Sequence, residues 1–157
     1  MKTYNATLVL VIKGNRILLA LKKYGFGEGK WNGVGGKIEQ GETAEQCAVR
    51  ETQEEIGITP IEYEKVGILE FDEYIKGERG FLVGHVYRVT EFTGEPTESD
   101  EMRPEWFDID KIPYNQMFPD DQYWLPLLLA GKKFKAFFKY DKDWNMLSHK
   151  LTVVKII

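Results

Sequence analysis

Gly36-Lys-Ile-Glu-Gln-Gly-Glu42, followed after seven residues by Arg50-Glu-Thr-Gln-Glu-Glu-Ile-Gly-Ile58, is the stretch of sequence that decides the fold. Thr43 and Gln46, three positions apart, predict a reciprocal capping box at the start of a helix. The glycine before Ile58 is typical of the left-handed residue that ends one. The sequence therefore predicts a helix from Ala44 to Ile56.

Three glutamates of this helix carry the first functional signal. Glu51, Glu54 and Glu55 stand at positions i, i+3 and i+4, which places their side chains on one helix face. Like charges at this spacing repel one another, and a hard divalent cation such as Mg²⁺ would offset the repulsion. A solvated helix face is the alternative, since most charge runs are simply exposed.

Composition limits the class of protein. A chain of 157 residues with 43% hydrophobic and 29% charged residues predicts one soluble domain, spanning residues 1–157. The net charge of −4 argues against a general nucleic-acid binder, so we expect no stable nucleic-acid complex. Cys47 is the only cysteine, and a buried helix thiol is favoured over a nucleophile. The first apolar run is too short for a signal peptide or membrane span, which indicates a cytoplasmic protein without membrane association.

Alternation of apolar and polar residues predicts the remaining elements. The predicted strands are residues 4–12, 16–21, 61–75, 81–90, 106–107, 134–140 and 147–156, and a second helix is predicted over 120–129. Turns are expected at Lys13–Asn15 and Lys76–Glu78, and a glycine-rich loop follows the second strand. Strands before and after each of two helices indicate an α/β protein with a mixed sheet between helices.

The stretch from Gly36 to Ile58 resembles the sequence box of the Nudix hydrolases. In that box a glycine, five residues, a glutamate and seven residues precede Arg-Glu-aliphatic-x-Glu-Glu-x-Gly-aliphatic, and only Thr52 departs from it. Further blocks are similar to the MutT-homologue branch, which hydrolyses oxidised purine nucleoside triphosphates. They are Lys22–Gly27, Trp31–Gly36, Glu98–Pro104 and Met117–Trp124. The resemblance implies the α/β/α sandwich of the Nudix fold.

The resemblance also implies roles in metal binding and catalysis. Glu51, Glu54 and Glu55 would hold Mg²⁺, or Mn²⁺ in its place, together with the Gly36 carbonyl, and Glu51 or Glu54 could instead be the base. Glu101, from a separate loop, would be a base or a ligand of a second metal, unless it is an ordinary surface acid. Arg50 either contacts phosphate or orients the glutamates, and we favour orientation. Glu42 would stabilise the helix dipole or lie in the outer metal shell.

The substrate-binding residues follow from the same resemblance. Asn32, Asp120 and Asp121 are the candidates for base recognition, and one of the two adjacent carboxyls could stay protonated and donate a hydrogen bond. Their alternatives are a turn residue for Asn32 and helix caps for the aspartates. The remaining candidates are Thr7, Lys22, Phe26, Gly35, Gly36, Lys37, Phe71 and Phe118, with Trp124 either a wall or a core residue. The branch usually has Trp at the position of Phe118.

The expected activity is Mg²⁺-dependent hydrolysis of a small-molecule nucleotide by water attack, which releases pyrophosphate and a nucleoside monophosphate. Oxidised purine nucleotides such as 8-oxo-dGTP are the favoured substrates, and a monomer is expected. Two alternatives stay open. The substrate could be a dinucleoside polyphosphate or an RNA 5′ end, or the chain could be a catalytically idle nucleotide sensor.

Overall fold

The computed structural model describes residues 1–157 as eight strands and two α-helices. The strands are β1 (Lys2–Lys13), β2 (Arg16–Lys22), β3 (Trp31–Asn32), β4 (Thr59–Ile75), β5 (Glu78–Thr93), β6 (Met102–Asp108), β7 (Lys133–Tyr140) and β8 (Met146–Val154). The helices are α1 (Ala44–Ile56) and α2 (Asp121–Leu129), and a short 3-10 turn covers Tyr114–Gln116. No helix has the length and apolar character needed to cross a membrane.

All eight strands belong to one mixed sheet. Its order is β3-β2-β1-β5-β4-β7-β8, with β6 paired to β2. The pairs β1–β5 and β4–β7 are parallel, and the other pairs are antiparallel. The mixed sheet predicted from the order of elements is therefore confirmed.

The two helices cover opposite faces of this sheet. Successive strand residues point to opposite faces, so Leu10 of β1 belongs to one core while its neighbours Val9 and Val11 belong to the other. The core of Leu10 includes Trp124 of α2, and the core of Val9 includes Ala48 of α1. The architecture is an α/β/α sandwich, as expected.

The boundaries of α1 agree with the caps predicted from the sequence. The Thr43 hydroxyl accepts from the Gln46 amide at 3.1 Å, and the Gln46 side chain accepts from the Thr43 amide at 2.9 Å. Gly57 adopts φ 73°, and its amide donates to the Gln53 carbonyl. Local signals alone are sufficient here, because each cap is satisfied within the first or last turn.

Two elements differ from the sequence prediction. Trp31–Asn32 form strand β3 inside the glycine-rich segment, which was expected to be a loop, because they pair with Ala20 and Leu21 of β2. The predicted strand at residues 106–107 extends over Met102–Asp108, since the whole segment pairs with β2. In both cases a distant partner strand, which local alternation does not reveal, fixes the backbone.

Candidate active site

The buried side of α1 fixes the helix against the sheet. Cys47, Ala48, Thr52 and Ile56 are almost completely shielded from solvent. The Thr52 hydroxyl donates to the Ala48 carbonyl at 2.7 Å, so the one departure from the Nudix pattern leaves no unsatisfied polar group. The glutamates of α1 thus extend from a helix whose rotation is set by packing.

The three glutamates of α1 do not share one solvent-facing surface. The Glu54 side chain is 60% exposed and that of Glu51 16%, whereas Glu55 as a whole residue is only 7% exposed. Glu55 follows Thr52 by three residues and therefore turns toward the buried side of the helix. The three carboxylates thus lie next to one another but differ in exposure, since one is exposed, one half-buried and one buried.

Glu55 is the most perturbed acid of this group. Burial, followed by the neighbouring acids Glu51 and Glu101, raises the pKa of Glu55 to about 9. Its Oε2 atom is buried and has no hydrogen-bond partner. A buried carboxylate oxygen without a donor calls for a cation or a proton.

Arg50 connects four acidic or carbonyl groups around the helix start. Its Nε and Nη2 atoms donate to the two carboxylate oxygens of Glu42 at 2.6 and 3.0 Å, and Nη1 donates to Glu51 at 2.9 Å and to Glu54 at 3.2 Å. Nη2 also reaches the Lys37 carbonyl. The pairing with Arg50, together with the Glu39 amide, holds the pKa of Glu42 at about 2. These contacts support the orienting role of Arg50, and they give Glu42 the task of fixing Arg50.

Strand pairing brings Glu101 to the same place. Lys22 of β2 pairs with Met102 of β6, the Lys23 amide donates to the Glu101 carbonyl at 2.9 Å, and the Lys22 ammonium forms an ion pair with the Glu101 carboxylate. Glu101 is close enough to raise the pKa of Glu55. It therefore lies at the acidic cluster, which we define as Glu51, Glu54, Glu55 and Glu101.

Two glycines allow the loop before α1 to pack directly on β1 and α1. A Cβ atom on Gly35 would lie 1.9 Å from the Thr7 carbonyl oxygen, and one on Gly36 would lie 2.6 Å from Oε1 of Glu51. The Gly36 carbonyl accepts from the Thr7 amide at 2.9 Å. Glycine is required at position 35, where the clash is with backbone, whereas a Cβ on Gly36 would displace the Glu51 carboxylate. Besides the Thr7 amide, the Gly36 carbonyl has only a 3.5 Å contact from the Cys47 thiol, a weak donor that a stronger ligand could replace.

The cluster is not a preformed metal site. No group of three or more His, Cys, Asp or Glu side chains could hold a metal ion as the side chains stand. The reason is that Arg50 engages Glu51 and Glu54, while Lys22 engages Glu101. The donor set nevertheless fits a divalent cation, because the buried Glu55 oxygen lacks a partner and the exposed Glu54 carboxylate is held by Arg50 alone.

An open cavity lies beside β1, β4 and α2, and its volume is about 630 Å³ when the solvent at its mouth is included. Seven of the predicted substrate-binding residues line it: Thr7, Phe26, Asn32, Phe71, Phe118, Asp120 and Asp121. Lys22 lies instead at the acidic cluster, and Lys37 lies outside the cavity with its ammonium 4.5 Å from the Tyr4 ring centre.

Asp120 and Asp121 are both almost fully buried in this cavity wall. Asp120 accepts hydrogen bonds from Trp124 Nε1 at 2.9 Å and from the Tyr140 hydroxyl at 2.8 Å, and makes no side-chain helix cap. Oδ2 of Asp121 has no partner. Burial raises the pKa of both carboxyls, and the charge of Asp120 raises that of Asp121 further. A pair that shares one proton can donate a hydrogen bond, which agrees with the prediction that one of the two carboxyls stays protonated. The alternative that the Asp120 side chain caps helix α2 is wrong.

Asn32 and Trp124 also have defined positions. Asn32 Oδ1 accepts from the Gly33 amide at 2.8 Å, so the turn contact considered as an alternative coexists with a place in the cavity wall. Trp124 is 1% exposed and stacks on Phe134 with a centroid distance of 5.8 Å. Trp124 is therefore a core residue that orients Asp120.

Seven of the 14 residues that line the cavity were missed by the sequence analysis, and two of them, Trp144 and Glu73, have side chains suited to recognition. Trp144 packs on Phe26 and Phe118 with centroid distances of 5.0 and 5.8 Å. It lies in the turn between β7 and β8, where nothing local indicates contact with a distant loop. Glu73 follows Leu69 and Phe71 in the alternation of β4 and occupies a position where an apolar residue is expected. An acid at this inward-facing position was the sequence signal that could have identified Glu73 as a cavity residue.

The chain is similar to known proteins over most of its length. The sequence profile of the NUDIX domain matches residues 1–128. The oxidized purine nucleoside triphosphate hydrolase of Danio rerio is 51% identical over 149 residues, which cover 95% of this chain and 94% of that protein. The Mus musculus protein of the same name is 47% identical, with 94% of each chain covered. The crystal structure of a mutator MutT protein from Bacillus halodurans superposes with a TM-score of 0.84 at 28% identity, covering 94% of this chain and 97% of that one.

Proposed function

Because the chain belongs to the NUDIX domain family, we propose that it hydrolyses oxidised purine nucleoside triphosphates such as 8-oxo-dGTP to the nucleoside monophosphate and pyrophosphate. Enzymes of this family generally use divalent metal ions, and Mg²⁺ is the ion proposed here, with Mn²⁺ as a substitute. The two relatives at about half identity carry the name of this activity.

One observation carries the proposal: the cavity with aromatic walls and the acidic cluster meet at Thr7. Thr7 lines the cavity, and its amide holds the Gly36 carbonyl in the loop that packs on Glu51. A nucleotide whose base occupies the cavity would therefore extend its phosphates toward the cluster. A buried polar pair within aromatic walls is the chemistry that selects one base edge.

The proposed roles of the residues follow from their surroundings. Glu51, Glu54, Glu55, Glu101 and the Gly36 carbonyl would hold the divalent ion, which supplies charge neutralisation on the phosphates. Arg50 positions Glu51 and Glu54 through its hydrogen bonds.

The remaining roles concern the attacking water and the substrate. One carboxylate among Glu51, Glu54 and Glu101 takes a proton from that water instead of holding the ion. The Lys22 ammonium, now paired with Glu101, is placed to contact a phosphate.

The rest of the proposal concerns the chain as a whole. We place residues 1–157 in one domain that acts as a cytoplasmic monomer on free nucleotides. Sedimentation at several protein concentrations tests the monomer, and a concentration-dependent mass would contradict it.

The decisive experiment follows pyrophosphate release from 8-oxo-dGTP and dGTP with Mg²⁺, alongside a dinucleoside polyphosphate. Preference for the oxidised nucleotide supports the proposal. Activity on the dinucleoside polyphosphate alone would keep the hydrolase and refute the substrate, whereas nucleotide binding without hydrolysis of any of the three would favour the sensor.

A further inference from the structure

Glu73 is a buried acid that the proposed mechanism does not use. It lies on β4 on the same strand face as Leu69 and Phe71, and with them it lines the base cavity. The residue is 5% exposed, and its carboxylate is influenced only by burial and by the charge of Asp120. No lysine, arginine or backbone amide compensates it.

An uncompensated carboxylate is costly to keep inside a protein. Removing a polar group from water without a hydrogen bond costs about 1–3 kcal/mol, and more for a charge. Burial and Asp120 raise the pKa of Glu73 to about 7, so a large share of the carboxyl is ionised near neutral pH. Oδ2 of Asp121, in the same cavity, is buried without a partner, but the raised pKa of Asp121 makes it the protonated member of its pair. The cavity thus offers a donor on the wall of α2 and an ionisable acceptor on the wall of β4.

Oxidation of a purine changes the hydrogen-bonding pattern of one edge. In guanine N7 is an acceptor with a lone pair, whereas in the 8-oxo form N7 carries a hydrogen and becomes a donor. Asp120 and Asp121 are adjacent at the start of α2, so the pair faces a bound base from one wall of the cavity. An acceptor on another wall is suited to an N–H that only the oxidised base has.

We propose that Glu73 is a specificity-determining residue that accepts a hydrogen bond from N7–H of an 8-oxopurine and repels the N7 lone pair of the undamaged base. The inference rests on the proposed function, since it names the feature of the same substrate that the cavity recognises. It gives a role to an acid at an inward-facing position of β4, where the alternation leads one to expect an apolar residue.

The test compares Glu73→Gln with the unmodified protein on 8-oxo-dGTP and dGTP. The amide keeps the shape of the side chain but presents a donor as well as an acceptor, and so tolerates the N7 lone pair. We expect kcat/KM for 8-oxo-dGTP to fall about tenfold or more, mainly through KM, while kcat/KM for dGTP holds or rises. The preference ratio therefore collapses.

Glu70→Gln is the matched control. Glu70 lies on β4 too, but on the opposite strand face and outside the cavity lining, so the preference ratio should stay as in the unmodified protein. A second probe is 8-oxo-dGTP methylated at N7, which has no hydrogen to donate. The unmodified protein should discriminate against it, whereas Glu73→Gln should lose most of that discrimination.

The outcomes separate this inference from the proposed function. No preference for 8-oxo-dGTP in the unmodified protein would overturn both. A clear preference that Glu73→Gln retains, in a variant with a normal circular dichroism spectrum, would overturn the role of Glu73 alone. Equal losses on 8-oxo-dGTP and dGTP would show that Glu73 is merely structural and would likewise overturn it.

Discussion

Replacing Glu73 with Gln should stabilise the protein, and the gain should depend on pH. The folded structure raises the pKa of Glu73 from 4.5 to about 7 through burial and the charge of Asp120. At about 1.4 kcal/mol for each pKa unit, this rise corresponds to about 3 kcal/mol. That is the cost of holding the ionised carboxylate in the cavity wall.

The sign of this pH dependence follows from the pH at which the unfolded and the folded protein each release the Glu73 proton. The unfolded chain loses it near pH 4.5 and the folded protein near pH 7, so stability falls as pH rises between these values and the full cost persists above them. Gln cannot ionise. The free energies of unfolding of the two proteins should therefore agree near pH 4.5 and differ by about 3 kcal/mol in favour of Glu73→Gln at pH 8.5.

Urea unfolding followed by tryptophan fluorescence measures this difference, because the chain has four tryptophans, two of which are buried. Both proteins are unfolded at a series of pH values with a chelator present, and equal m-values establish that the same transition is compared. Titrating groups that do not interact with Glu73 are common to the two proteins and cancel in the difference, whereas the coupling to Asp120 is part of it. A difference in unfolding free energy that is the same at pH 4.5 and 8.5 would refute the assignment of a buried, raised pKa to Glu73.

Further predictions concern the acidic cluster and the aspartate pair. Glu54→Gln should lower kcat at least about 100-fold with an unchanged melting temperature, since the side chain is 60% exposed, and near-normal turnover of the folded variant would contradict its role. Tyr140→Phe should lower the free energy of unfolding by about 1–3 kcal/mol, measured in urea, because Asp120 loses a buried donor. Removing divalent ions with a chelator should abolish pyrophosphate release, and added Mg²⁺ should restore it. The preference for 8-oxo-dGTP over dGTP should rise between pH 6 and 8 as Glu73 ionises. Asp120 and Asp121 are titratable groups of the same cavity, so a rise that persists in Glu73→Gln would assign the effect to them.

Local features of the sequence were sufficient for the helix and for much of the site. The capping box at Thr43 and the left-handed Gly57 fix the ends of α1 within a single turn each. The residues of the Nudix box lie on that helix or directly before it, so their spacing along the chain determines their spacing in space. This is why Arg50 could be predicted to orient the glutamates.

The sequence by itself determined the helix α1, the order of the elements apart from β3 and the types of residue available for chemistry, because these depend on caps, periodicity and short spacings. Only the tertiary structure decided which carboxylates are buried. Glu55 differs from Glu54 because packing sets the rotation of α1, and Glu101 reaches the cluster because β6 pairs with β2. Glu73 and Trp144 joined the cavity through strand pairing and loop contacts far apart in sequence. The burial of a carboxylate and its coupling to other charges depend on neighbours that are distant in sequence. A local sequence pattern therefore cannot predict either of them.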